Sequence, residues 1–268
     1  SPLDDAIWRG YLDATTILLA NGARMNEAET KTGATPINEA AYSGKTQLVR
    51  YLLQSHPGLL TSDKRSYTPL ENAIRMRNTD AALSLLQAAP DEQKTPAFLN
   101  RILSTTIRKD ASTVVEALLR DGVRANDILS SGVTPLDAAA SAGAIKVVRV
   151  LLHSNADPNK RSQNGTSPLE GASLKEFDAI TEMLLDYGAR VNQVNTGSGT
   201  TALYAAAAFG KGDVVRLLLK RGANPNACGN GHRTPYAAAL ENRYSKIATQ
   251  IRDHGGSTEC EPERTRVE

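Results

Sequence analysis

Two apolar patterns alternate along this chain. One is a short run of small residues, as in Ala40-Ala41, Ala139-Ala140 and Ala206-Ala207; the other is an amphipathic run ending on a leucine pair, as in Leu18-Leu19, Leu52-Leu53, Leu118-Leu119, Leu151-Leu152, Leu184-Leu185 and Leu217-Leu218. Apolar residues three and four positions apart predict helices, so each alternation predicts two short helices joined by a tight turn. The first helix has a marked start. A Ser or Thr stands before a Pro in Ser1-Pro2, Thr35-Pro36, Thr68-Pro69, Thr134-Pro135, Ser167-Pro168 and Thr234-Pro235. The hydroxyl accepts a backbone N–H at the helix N-terminus, and Pro at the first helical position lacks the N–H that would be orphaned there. Small side chains in the middle let two helices approach closely.

Eight residues beyond the proline stands Gly10, Gly44, Gly143 or Gly210, a turn residue free to take positive φ. After the second helix come Gly22-Ala23, Gly188-Ala189 and Gly222-Ala223, a helix C-cap signal. Asn26, Asn126, Asn159, Asn192 and Asn226 then lead into a hairpin. The proline position falls at 2, 36, 69, 102, 135, 168, 202 and 235, a period of 33 or 34 throughout.

With these motifs the chain closely resembles the ankyrin repeat family, most fully in Gly132 to Asn159 and Gly199 to Asn226. The resemblance implies an all-α fold, an ankyrin-repeat solenoid of about eight helix-turn-helix units with short β-hairpin fingers. The repeats fall near 1–33, 34–66, 67–99, 100–132, 133–165, 166–199, 200–232 and 233–256, making one array over residues 1–256. The last repeat has a polar second helix (Lys246, Thr249, Gln250, Arg252), as a terminal cap should. Residues 257–268 read as a polar, disordered tail. The chain opens at Ser1 directly on a repeat helix, which reads as a piece of a longer protein.

The pattern breaks in three places. Where the family carries His, two residues after the proline, this chain has Asp4, Asn38, Glu71, Ser104, Asp137, Glu170, Tyr204 and Ala237. The carboxylates read as structural acceptors for neighbouring backbone groups. Repeat four has Ile102 in place of Pro and Asp110 in place of Gly, with a Thr95-Pro96 pair six residues early. That spacing predicts a helix starting at Pro96, capped by Thr95, after a shortened or missing finger. Gly197-Ser198-Gly199-Thr200-Thr201-Ala202 matches a dinucleotide fingerprint on paper, but a hairpin approach precedes it rather than a buried strand. It reads as a glycine-rich finger.

Composition adds little chemistry. Of 268 residues only 4% are aromatic, which suits thin layers of Ala and Leu. A net charge of +2 is too mild to argue for nucleic acid, and no apolar run approaches the ~20 residues of a membrane span. Two cysteines, Cys228 and Cys260, lie far apart in sequence and form no disulfide framework, so a cytoplasmic or nuclear setting is expected. His56, His153, His232 and His254 have no metal spacing. No catalytic residue, cofactor or metal is assigned.

The resemblance points to a protein or peptide partner met by finger tips and by the last turn of each inner helix. Those positions hold Trp8, Arg9, Tyr42, Arg75, Met76, Arg108 and Lys109, and the finger between repeats two and three adds Lys64, Arg65 and Tyr67. Trp, Tyr and Arg are the residue types of interface hot spots. The expected function is a protein–protein interaction module or scaffold binding an acidic extended segment with an apolar anchor on the concave face of the N-terminal half. The alternative is an enzyme or small-molecule binder using concave-face aromatics and carboxylates such as Glu39, Glu71 and Asp137.

Overall fold

The computed structural model describes residues 1–25, 33–55, 67–229 and 233–260. The chain divides into two compact units, residues 1–123 and 124–268. The first holds four helix pairs: α1 (Pro2–Arg9) with α2 (Leu12–Ala20), α3 (Pro36–Tyr42) with α4 (Thr46–Ser55), α5 (Pro69–Arg75) with α6 (Thr79–Ala88), and α7 (Pro96–Arg108) with α8 (Ser112–Arg120). The second holds α9 (Pro135–Ala142) with α10 (Ile145–His153), α11 (Pro168–Leu174) with α12 (Asp178–Asp186), α13 (Ala202–Ala208) with α14 (Gly212–Lys220), and α15 (Pro235–Glu241) with α16 (Ser245–Asp253). In each unit the odd-numbered inner helices pack side by side, and the even-numbered helices form a second layer on them.

The helix starts obey local chemistry. Ser1, Thr68, Thr95, Thr134, Ser167, Thr201 and Thr234 each accept the backbone N–H three residues on. Ser1 with Asp4, and Thr68 with Glu71, complete reciprocal capping boxes. Helix α13 starts on Ala202 rather than Pro, so the hydroxyl cap suffices there.

Inner helices bury an apolar residue at their second position, as at Leu70, Leu136, Leu169 and Leu203, and outer helices bury pairs such as Val147-Val148 and Val214-Val215. Each such side chain contributes about 1.5–3 kcal/mol when fully buried. Thin layers suffice because each pair covers the face of the next.

The turn inside each pair imposes one backbone state. At the position eight beyond the proline φ is positive in every repeat: Gly10, Gly44, Gly143 and Gly210 by glycine, and Arg77 (62°), Asp110 (52°), Glu176 (62°) and Arg243 (64°) without it. Glycine also makes room. A Cβ on Gly143 would lie 2.7 Å from the Phe177 ring, and one on Gly210 would lie 2.8 Å from the Tyr244 ring.

Repeat four starts as the Thr95-Pro96 pair predicts. Thr95 Oγ1 accepts from the Phe98 N–H, and α7 runs for 13 residues. The preceding finger is reduced to a 3-10 turn at Asp91–Gln93. Lys94 ties this turn down, 3.7 Å from Asp91 and 3.3 Å from Asp121.

In the second unit the fingers are tight hairpin turns. Leu129 N–H donates to Val133 O, Ser162 to Thr166, Asn195 to Thr200 and Gly229 to Arg233. No extended strand forms among the described residues. The asparagines that close each repeat do more than turn the chain. Asn126 Nδ2 donates to Asn155 O while its Oδ1 accepts from Asp157 N–H; Asn159 does the same with Gly188 and Arg190, Asn192 with Gly222 and Asn224, and Asn226 with Gly255 and Ser257. Each amide staples its repeat to the next.

Candidate functional site

Trp8, Tyr42, Arg75 and Arg108 occupy the same place on successive inner helices of the first unit, the final turn. Helix packing therefore brings together residues that lie 33 or 34 apart in sequence. Trp8 is 52% exposed and stacks on Tyr42, with ring centroids 6.4 Å apart and planes 24° from parallel. Offset stacking at this distance is a favourable aromatic geometry. Trp8 does not seal the first repeat; Leu3, Ala6 and Ile7 on the opposite face of α1 do that.

Beside this stack the guanidinium of Arg75 lies 3.9 Å from the centre of the Tyr67 ring. The cation is thus held over an aromatic face rather than left to wander. Met76, the C-cap of α5, is 44% exposed. Arg108 is exposed and donates to Thr105 Oγ1 at 3.3 Å, and Lys109 caps the same helix, half-buried. Among the described residues neither Arg75 nor Arg108 meets a carboxylate. Arg9 differs, because its Nε donates to both oxygens of Asp5 at 3.1 and 3.2 Å. That hydrogen bond and the Asp5 charge push the Arg9 pKa further up. Lys64 and Arg65 lie outside the described residues.

The carboxylates at the second position after the proline are occupied. Asp137 accepts from Ser162 Oγ at Oδ2 and from Ser141 Oγ at Oδ1, the latter at 3.2 Å. Glu170 accepts from Asn195 Nδ2 at 2.7 Å and from Thr200 Oγ1 at 3.1 Å. In both cases the donors that tie the carboxylate to the following finger are side chains, and Glu170 also accepts a backbone hydrogen bond from Ser167, as expected. Burial pushes both pKa values up against these hydrogen bonds, and the Asp137 charge adds to the rise at Glu170. Glu71 is buried too; it accepts the Thr68 N–H and hydroxyl, each at 2.9 Å, and meets Arg101 Nε at 3.0 Å. These three carboxylates hold helices and fingers.

Gly197 and Ser198, from the fingerprint-like run, turn their N–H groups to the Asn195 side-chain oxygen at 2.8 and 3.1 Å. That loop is an Asx-type finger. Among the described residues no cluster of three His, Cys, Asp or Glu could hold a metal ion, and no helix is long and apolar enough to cross a membrane.

Short helix pairs at a fixed period, capped alike and stapled by a recurring asparagine, define a helical-repeat protein. A family model described as "Ankyrin repeats (3 copies)" matches residues 3–96, 94–162 and 169–262. The chain belongs to the ankyrin repeat family. It is 34% identical over 152 residues to human Neurogenic locus notch homolog protein 1, covering 56% of this chain and 6% of that protein. It is 30% identical over 229 residues to the Ankyrin repeat and KH domain-containing protein mask-1 of Caenorhabditis elegans, covering 84% of this chain and 8% of that one. The chain therefore spans a small fraction of the length of these relatives. Among solved structures, the crystal structure of the human ASB11 ankyrin repeat domain superposes with a TM-score of 0.71 at 26% identity, over 84% of this chain and 99% of that one. Ankyrin repeats are protein–protein interaction modules.

Proposed function

We propose that this chain holds a protein partner on the concave face of its first unit, and that the partner contributes an extended acidic segment with an apolar or aromatic anchor. The observation that carries this reading is the row formed by the exposed Trp8–Tyr42 stack and the guanidinium groups of Arg75 and Arg108 on neighbouring inner helices. The stack takes the anchor. Carboxylates of the segment form charge-assisted hydrogen bonds with the two arginines and set its register. Met76 and Lys109 flank these contacts, and Lys64 and Arg65 belong to the same cationic group in sequence.

Arg9 contributes less than its position suggests, since Asp5 already neutralises it. A small-molecule reading loses support because Glu71 and Asp137 are committed to internal partners. We place its work in the cytoplasm or nucleus, since two cysteines in 268 residues are too few for a disulfide framework.

The test uses labelled acidic peptides carrying one Trp, Phe or Leu, titrated against the wild-type chain and the Arg75→Ala/Arg108→Ala variant. Truncating a hot spot costs about 2 kcal/mol, roughly thirtyfold in Kd. Wild-type binding should weaken as salt rises, because exposed charges are screened. Undiminished binding by a folded double variant would sink the proposal.

A further inference from the structure

Cys228 and Cys260 are the chain's two cysteines, one in the last finger and one in the segment after α16. The fold brings them together. Asn226, two residues before Cys228, accepts the Ser257 N–H at 2.8 Å and donates to Gly255 O at 3.0 Å. Thr234 Oγ1, on the other side of the same finger, donates to Ser257 O at 2.5 Å. These bonds lay the segment from Gly255 along the finger that holds Cys228, and three residues further on Cys260 comes close enough for the two thiols to interact electrostatically. Both thiols are half-buried and neither is in a disulfide.

We infer that Cys228 and Cys260 form a reversible redox pair, oxidised by a small-molecule disulfide such as glutathione disulfide to a bond that staples the C-terminal segment to the last finger. A Cys228 thiolate attacks one sulfur of glutathione disulfide and expels one glutathione thiolate, leaving a mixed disulfide. Cys260 then loses its proton and attacks Cys228 Sγ, expelling the second glutathione. The chain gives up two hydrogens, and one glutathione disulfide becomes two glutathione thiols. Burial, the bond to Cys228 and the charge of its thiolate hold the Cys260 thiol up at about 11. Formation of the mixed disulfide removes that neighbouring charge, so Cys260 closes the bond second. Since the thiolate is the attacking species, closure quickens as pH rises.

The bond closes a loop from residue 228 to residue 260 that contains α15 and α16. A cross-link across native contacts stabilises chiefly by restricting the unfolded chain. Oxidation thus locks the repeat that α15 and α16 form.

The experiment incubates the full chain with glutathione disulfide, quenches with iodoacetamide and maps disulfide-linked peptides. The expected product is a monomer with a Cys228–Cys260 link, no alkylated cysteine and no retained glutathione. Its unfolding midpoint should lie several degrees above that of the reduced chain, with no such gain in Cys228→Ser. Two alkylated cysteines, a stable glutathione adduct, a disulfide-linked dimer, or an oxidised monomer that unfolds no later than the reduced one would each overturn the inference.

Discussion

Ser162, in the finger that closes one repeat, donates its hydroxyl to the buried carboxylate of Asp137 on the inner helix of that same repeat. The separation is 25 residues, and the same separation joins Asn195 to Glu170. Counting 25 residues on from Glu71 reaches Pro96, which carries no donor, since the finger there is reduced to a 3-10 turn and a proline without an N–H starts the helix. Arg101, one turn into the lengthened α7, fills the vacancy. A shared need for a donor to each buried acid explains all three arrangements.

The raised pKa values of Asp137 and Glu170 give the second unit a pH signature. A carboxyl whose folded pKa lies above its unfolded one binds more protons when folded. Its contribution is complete below the ordinary values, 3.8 for Asp137 and 4.5 for Glu170, and is lost as pH rises through the raised folded values. Urea midpoints followed by circular dichroism should therefore fall from about pH 4 toward neutrality, more steeply in the wild type than in Asp137→Asn/Glu170→Gln. Equal slopes in both proteins would contradict this account.

Glu71 and Arg101 should contribute unequally. Glu71 is 4% exposed, and Glu71→Ala strands the Thr68 cap and the Arg101 guanidinium, a loss of about 1–3 kcal/mol. The Arg101 side chain is 52% exposed, so Arg101→Ala should cost no more than about 1 kcal/mol. A double-mutant cycle on thermal unfolding measures their coupling. A coupling of zero would show the contact to be incidental.

Arg77 offers a stabilising substitution. It sits at φ 62° in a turn where four other repeats place glycine. The left-handed conformation costs an ordinary residue roughly 1–2 kcal/mol, part of which glycine returns as unfolded-chain entropy. Arg77→Gly should raise stability by about 0.5–1 kcal/mol in urea titration. A lower midpoint would mean that the side chain contributes more than the backbone strain removes.

Gly171 should resist enlargement. A Cβ there would come 2.3 Å from Ser141 Oγ and 2.7 Å from Asp137 Oδ1. Gly171→Ala should cost about 1–3 kcal/mol through overpacking between α9 and α11. Adding Ser141→Ala should recover part of that loss. No recovery would place the strain elsewhere.

Trp8 is the chain's single tryptophan, which makes it a reporter of its own surface. Half-exposed beside Tyr42, it should emit like a solvated indole. An anchored acidic peptide should shift the emission to the blue as water leaves the ring. Trp8→Ala should weaken that peptide while moving the melting temperature by no more than a degree or two. A large drop in melting temperature with unchanged affinity would make Trp8 a packing residue.

Much of this molecule was legible from residue order. Helix starts follow from Thr-Pro pairs because a hydroxyl cap and a donor-free first residue act within one turn of helix. Even the early start at Pro96 follows from the same local rule. The candidate row was legible only as a list at fixed register. Its stacking of Trp8 on Tyr42, the hold of Tyr67 on Arg75 and the neutralisation of Arg9 by Asp5 depend on rotamers set by neighbouring side chains.

What the sequence by itself determined is the repeat: its period, its caps, its turns and the face each helix buries, since these depend on interactions within a few residues. Only the tertiary structure decided who partners whom over longer separations. The asparagine staples, the finger donors to Asp137 and Glu170, the bond of Arg101 to Glu71 and the approach of Cys260 to Cys228 all join residues more than twenty positions apart. Such pairs become neighbours only when apolar layers close and leave each buried polar group to find a donor or acceptor within reach.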